Sequence, residues 1–169
     1  LYMTSSYVDY GSKYYQNPEL YADIIKALDY AYNNFYGPYI IENGTIGNWF
    51  PWDIGVPTSL LNILTYLRHD LTPAQLDKYL SPYDYLQPFP EGNASNLVNM
   101  GRCVMVAACL RKDAKRMAVA QYFVNQIYEY VTIDQMGLGT DGGFFTDGSY
   151  IQHNVTPYHG SYGISLMQG

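Results

Sequence analysis

Residues 17–38 read NPELYADIIKALDYAYNNFYGP, and this stretch decides the fold class. Asn17 before Pro18 pairs a capping side chain with the residue best tolerated at the first helical position. Leu20, Tyr21, Ile24, Leu28, Ala31, Tyr32 and Phe35 then recur at steps of three and four, which lines them up along one helical face. Gly37-Pro38 predicts the stop.

The same grammar extends outward. Leu60, Leu61, Leu64 and Leu67 predict a second helix, and Thr72-Pro73 opens a short third one over TPAQLDKYL. SPYDYLQPFPEGN (81–93) carries three prolines and predicts irregular chain. A fourth helix begins near Ser95 or Asn96 and carries Leu97, Met100, Val104, Ala107 and Ala108. After a turn at Lys112-Asp113, Met117, Ala120, Val124, Ile127 and Val131 mark a fifth. Beyond Thr132 the chain is rich in glycine, aromatics and Asp and shows no helical period. No run of alternating strands and no linker is visible. The expectation is an all-α chain, residues 1–169 as a single α-helical domain. Helices joined in antiparallel pairs carry function on long aromatic- and glycine-rich loops.

Composition narrows the class. With 48% hydrophobic and 14% charged residues the chain is not disordered. No apolar run is long enough to span a bilayer, so no membrane partner is expected. The start, LYMTSSYVDYGSKYY, has neither a signal sequence nor an initiator Met and reads as a mature product or an excised piece. A net charge of −6 excludes a nucleic-acid phosphate binder, which needs a basic face. Twenty tyrosines suit packing, and equally suit sugar rings. Cys103 and Cys109 stand about 600° of helical rotation apart; they read as buried free thiols rather than a disulfide.

Candidate sites divide by how much chemistry their spacing specifies. Gly137, Gly139 and Gly142 spell GxGxxG, but no strand precedes them and no helix follows, so tight turns are the better reading. Asp134, Asp141 and Asp147 lack the spacing of an EF-hand loop; a structural calcium is not indicated, and no cofactor is expected. His153 and His159 lack the further ligands zinc needs. Asn48-Trp49-Phe50-Pro51-Trp52 is either a buried aromatic knot or a stacking platform for sugars. In 147–163, His153, Tyr158 and Tyr162 sit in a glycine-bearing loop with no helix to bury them, open to a structural or a catalytic role.

Together these pieces resemble polysaccharide lyase family 8, the hyaluronate, chondroitin AC and xanthan lyases. NWFPWDIGVP (48–57) is similar to that family's asparagine–aromatic stretch ending in Ile, Gly and Pro. GNASNL (92–97) is similar to its Gly-Ala-Asn motif at the start of a helix, and DGSYIQHNVTPYHGSYG (147–163) to its DGS, QH and YG signature. The resemblance implies an incomplete (α/α) toroid of helical hairpins and a chain that is part of the catalytic domain of a larger lyase. It implies a uronate-bearing acidic polysaccharide as substrate, a secreted or periplasmic location, and no metal. By the same resemblance Asn96 contacts the uronate carboxylate, with Asn99 as its rival. His153 assists as base and Tyr162 transfers the proton. Asn48, Trp49, Phe50, Trp52, Gln152 and Tyr158 are the expected substrate contacts. The family's later arginine and glutamate have no counterpart in these residues. The remainder of the same lyase is the expected partner and the expected source of the positive charge that −6 lacks.

Two other classes stay open on the residues. A glycoside hydrolase would need two carboxylates across the bond, with Asp53, Asp141 and Asp147 as candidates. A non-catalytic sugar-binding domain would use Trp49, Phe50, Trp52 and the loop tyrosines.

Overall fold

A computed structural model describes residues 1–90, 94–125, 142–144, 147–152 and 156–168. It falls into two compact units, Leu1–Pro88 and Phe89–Gly169.

The first unit is helical: α1 (Tyr2–Val8), α2 (Pro18–Asn34), α3 (Pro38–Asn43), α4 (Val56–Tyr66) and α5 (Pro73–Leu86). Asn17 caps α2 as its sequence predicts, its side chain accepting from the Leu20 N–H at 2.8 Å. Ile24 and Leu28 are the buried residues of its apolar face. Leu61 and Leu64 of α4, with Leu67 just after it, are sealed in the core beside Ile40, Leu80 and Tyr83. Burying each leucine contributes about 1.5–3 kcal/mol.

Two features depart from expectation. Pro38 does not only end α2; it opens the short α3, with Gly37 before it. A Cβ on Gly37 would run into the Tyr32 carbonyl, so the tight corner requires glycine. Helix α5 does not stop at Leu80 but continues through Pro82 to Leu86. Proline cannot donate to the carbonyl one turn back, that of Lys78. The Ser81 hydroxyl donates to that same carbonyl at 3.0 Å, and buried Pro82 and Tyr83 anchor the extra turn.

The second unit pairs α6 (Ala94–Arg111) with α7 (Ala114–Asn125). Lys112 turns the corner at φ 56, and the Asp113 carboxylate accepts from the Lys115 and Arg116 N–H groups at 3.0 Å each. A Cβ on Gly101 would overlap the Val124 side chain, so glycine sets how closely the pair approaches. Ile127 and Val131, assigned to this helix from sequence, lie outside the described residues, as do Gly137, Gly139, Asp134 and Asp141. Both cysteines are free; Cys103 is buried but Cys109 is exposed, which corrects the expectation of two buried thiols. Their angular separation on one helix accounts for the difference.

A small antiparallel sheet also departs from the strand-free expectation: β1 (Gly142–Phe144), β2 (Tyr150–Gln152) and β3 (Thr156–Pro157), in that order. Gly143 pairs with Ile151, and Gln152 with Thr156. The segment ends in α8 (Ile164–Gln168), which packs on α6. Among the described residues no helix is long and apolar enough to cross a membrane.

Candidate active site

Two aromatic-bearing segments carry the expected site residues, one in each unit.

In the first unit, Pro51–Gly55 forms a wide five-residue turn that leads directly into α4. Asn48 braces its approach by accepting from the Phe50 N–H at 2.8 Å. Trp49 and Phe50 are 45% and 49% exposed, with rings edge-on at 6.0 Å. Trp52 behaves differently. It stacks parallel to Tyr36 and donates its indole N–H to the Ile46 carbonyl at 2.8 Å. The segment is therefore part knot and part platform: Trp52 fixes the loop, and Trp49 and Phe50 present rings to solvent. Beneath Phe50 lies a hollow of about 400 Å³ shared with Tyr32, Tyr36, Leu60 and Ile63. Its almost wholly apolar walls offer little to a sugar's hydroxyls. Asp53 also sits on this turn, half-buried.

In the second unit, His159–Gly163 forms another wide five-residue turn, closed by the Gly163 N–H donating to the Tyr158 carbonyl at 2.9 Å. Tyr162 rides on it, half-buried, its ring edge-on to Tyr158 at 4.9 Å. The turn is bolted to β2 at two points. The Tyr158 N–H donates to the Tyr150 carbonyl at 2.9 Å, and the Tyr150 N–H donates to His159 Nε2 at 2.9 Å. A hollow of about 460 Å³ touches Tyr150, His159, Gly163 and Met167, the braces of the turn, rather than Tyr162.

Asn96 and Asn99, the two rival amides, have different surroundings. Asn99 Nδ2 donates to the Ser95 carbonyl at 2.8 Å and to Ser165 Oγ at 3.0 Å, which commits it to joining α6 and α8. Asn96 is half-buried, and its side chain makes no hydrogen bond among the described residues. Its neighbour Ser95 is buried and donates to Gln152 Oε1 at 3.4 Å. The same oxygen accepts from Tyr150 OH at 2.8 Å. Burial pushes the Tyr150 phenol up to about 12, so it remains the donor in that bond. Gln152 is 2% exposed, although substrate contact was expected of it. His153, which follows Gln152, lies outside the described residues. Asp147 accepts from the Ser149 N–H at 2.9 Å; bonding to Ser149, with a smaller contribution from His159, holds its carboxyl below the usual range.

Comparison with known proteins gives this arrangement a lineage. The profile of polysaccharide lyase family 8, N-terminal alpha-helical domain, matches residues 1–169. The chain belongs to polysaccharide lyase family 8. A xanthan lyase of a Bacillus species is 34% identical over 94% of this chain, and a hyaluronate lyase of Enterococcus faecalis 30% identical over 94%. Among solved structures, the chondroitin AC lyase of Streptomyces coelicolor in complex with chondroitin sulphate superimposes with a TM-score of 0.84 at 28% identity, covering 98% of this chain and 22% of that one. The chain spans 16% and 17% of the length of the first two relatives.

Within this family 8 chain, the residues that sequence reasoning missed are the braces: Ser95, Tyr150 and His159. One of them, Tyr150, carried a signal. Tyr150 and Gln152 stand two apart, the spacing that puts both on one face of a strand. The strand itself was too short to detect.

Proposed function

We propose that this chain is the opening part of the helical domain of an enzyme that cleaves a uronate-bearing acidic polysaccharide by β-elimination. The helical pairs would begin the incomplete toroid. The observation that carries the reading is Tyr162, held half-buried on a turn whose backbone is bonded to the strand leading into His153. Family membership gives that observation its context.

The chemistry follows from the groups. The C5 proton of a uronate is weakly acidic, and elimination places negative charge on the carboxylate as that proton leaves. Asn96 hydrogen-bonds the carboxylate and disperses the charge without adding a fixed one. His153 takes up the phenolic proton of Tyr162, and the Tyr162 oxygen then takes the C5 proton. The C5–H electron pair becomes the C4–C5 double bond, and the bond from C4 to the bridging oxygen breaks. Tyr162 returns the proton to that leaving oxygen. Trp49 and Phe50, on the turn that Asn48 and Trp52 fix, orient the sugar chain by covering its C–H faces, and Tyr158 is a further substrate contact. A polymeric substrate meets the enzyme outside the cytoplasm, so we assign it a secreted or periplasmic place. The rest of the same protein would supply cationic groups to offset the −6 of these residues.

The test is Tyr162→Phe in the full-length protein, followed by the near-ultraviolet absorbance of the unsaturated uronate. Turnover should fall by about 10²–10⁴-fold with unchanged folding. Near-normal rates would remove Tyr162 from the mechanism. A new reducing end without absorbance would mean hydrolysis, and binding without product would mean a sugar-binding module.

A further inference from the structure

We infer that Gln152 is a positioning residue, whose buried side-chain carbonyl ties the start of α6, where Asn96 stands, to the strand that leads into His153. The inference rests on the elimination reading above and deepens it.

Three observations support it. Gln152 Oε1 is a shared acceptor: Ser95 Oγ reaches it at 3.4 Å and Tyr150 OH at 2.8 Å. Ser95 directly precedes Asn96, and Gln152 directly precedes His153, so the oxygen bridges the residues next to both proposed catalytic groups. All three members are buried, at 1%, 0% and 2% exposure for Ser95, Tyr150 and Gln152. Inside a low-dielectric interior the 2.8 Å bond from Tyr150 is strong and the 3.4 Å one from Ser95 weaker, and together they tie the strand to the helix start.

The third observation is a cost. Gln152 Nε2 is buried with no hydrogen-bond partner among the described residues. A buried, unmade amide donor is destabilising, and an apolar side chain of similar length would avoid the penalty. Among the described residues it is the carbonyl half of the amide that makes the side-chain bonds. Tyr150 belongs to a second link as well, through its backbone bonds to the turn that bears Tyr162. One strand residue thus connects the tyrosine turn, and its partner Gln152 connects the asparagine helix.

The experiment uses the full-length enzyme and a uronate polysaccharide, with kcat and KM read separately and the folded fraction checked by circular dichroism. Gln152→Ala should lower kcat by about 10²-fold, the scale of a small misplacement of reacting groups. Tyr150→Phe and Ser95→Ala keep their shapes and lose one hydroxyl each; each should lower kcat by about 10-fold and leave KM within about twofold. In a Tyr162→Phe background, Gln152→Ala should cost no more than about twofold further, because groups that act as a unit are not additive. Unchanged kcat per folded molecule in Tyr150→Phe and Ser95→Ala would overturn the inference, and these two variants decide it if Gln152→Ala does not fold. Full additivity with Tyr162→Phe would overturn it too. If Tyr162→Phe itself stays active, the role of Tyr162 fails instead, a result distinct from an inactive Tyr162→Phe beside fully active Gln152 and Tyr150 variants.

Discussion

The turns Pro51–Gly55 and His159–Gly163 share a plan and differ in what holds them. Each is five residues long, ends in glycine, feeds a helix and follows or carries aromatic residues. The first rests chiefly on an apolar bed, with Ile54 buried and Trp52 parallel to Tyr36, and the hydrogen bonds from Trp52 to Ile46 and from Phe50 to Asn48 run within its own loop. The second is braced by backbone and imidazole hydrogen bonds to β2. Apolar packing is non-directional, whereas hydrogen bonds fix distance and angle. A stacking platform tolerates the first kind of support, since a ring can slide over a sugar face. Proton transfer requires the second.

The closing glycines test this contrast most sharply. A Cβ on Gly163 would stand 3.2 Å from the Tyr158 carbonyl and 3.3 Å from the Tyr150 ring. On Gly55 its nearest neighbours would be 3.7 and 3.8 Å away, ordinary contact. Gly163→Ala should therefore push the turn off β2, costing about 1–3 kcal/mol and lowering kcat by about 10-fold or more. Gly55→Ala should stay within about 0.5 kcal/mol of the parent. Thermal melts and initial rates on the two full-length variants provide the comparison. Equal damage, or none in either, would show that the two turns are held alike.

A smaller effect sharpens the division of labour. Trp49→Ala removes an exposed ring from the platform and should raise KM by roughly 2- to 12-fold, the equivalent of about 0.5–1.5 kcal/mol of stacking, with kcat little changed. A fall in kcat of the size expected for Tyr162→Phe would place Trp49 in the chemistry and erase the distinction between the segments.

How much of this was legible in the sequence depended on whether the physics was local. Asn17-Pro18 and the period that follows it fixed α2, because capping and amphipathicity act within a few residues. Thr72-Pro73 marked the start of α5, which the structure closes with a reciprocal capping box between Thr72 and Gln75. Its end was hidden, because Pro82 is tolerated through a bond from Ser81 that no propensity encodes. The sheet escaped notice because its strands are two or three residues long, too short to show alternation. The site was legible as motifs but not as a network. Asn96 and Asn99 look equivalent in sequence, and only the Ser165 contact separates them. The burial of Gln152 is likewise a tertiary fact.

The smallest prediction examines the apolar character of the first unit where it is least apolar. Asp29 on α2 accepts from Lys78 and from Tyr79 OH of α5, both at 2.7 Å. These bonds, Lys78 first and then Tyr79, hold its carboxyl below its ordinary value of 3.8. A depressed folded value means the native state binds that proton more weakly than the unfolded chain does. The stabilisation is therefore complete above the ordinary carboxylate range and fades as pH falls through the folded value. Asp29 is 41% exposed, so solvent screens the pair and the contribution should be at most about 1 kcal/mol. Asp29→Asn should speed amide exchange in α2 and α5 slightly at pH 7, and added salt should shrink that difference. Once pH has fallen below the folded value, parent and variant should converge. A loss of several kcal/mol at neutral pH, or a gap that persists in acid, would mean that a polar knot, not the leucine core, holds these helices together. The contrast between the two turns would then lose its basis.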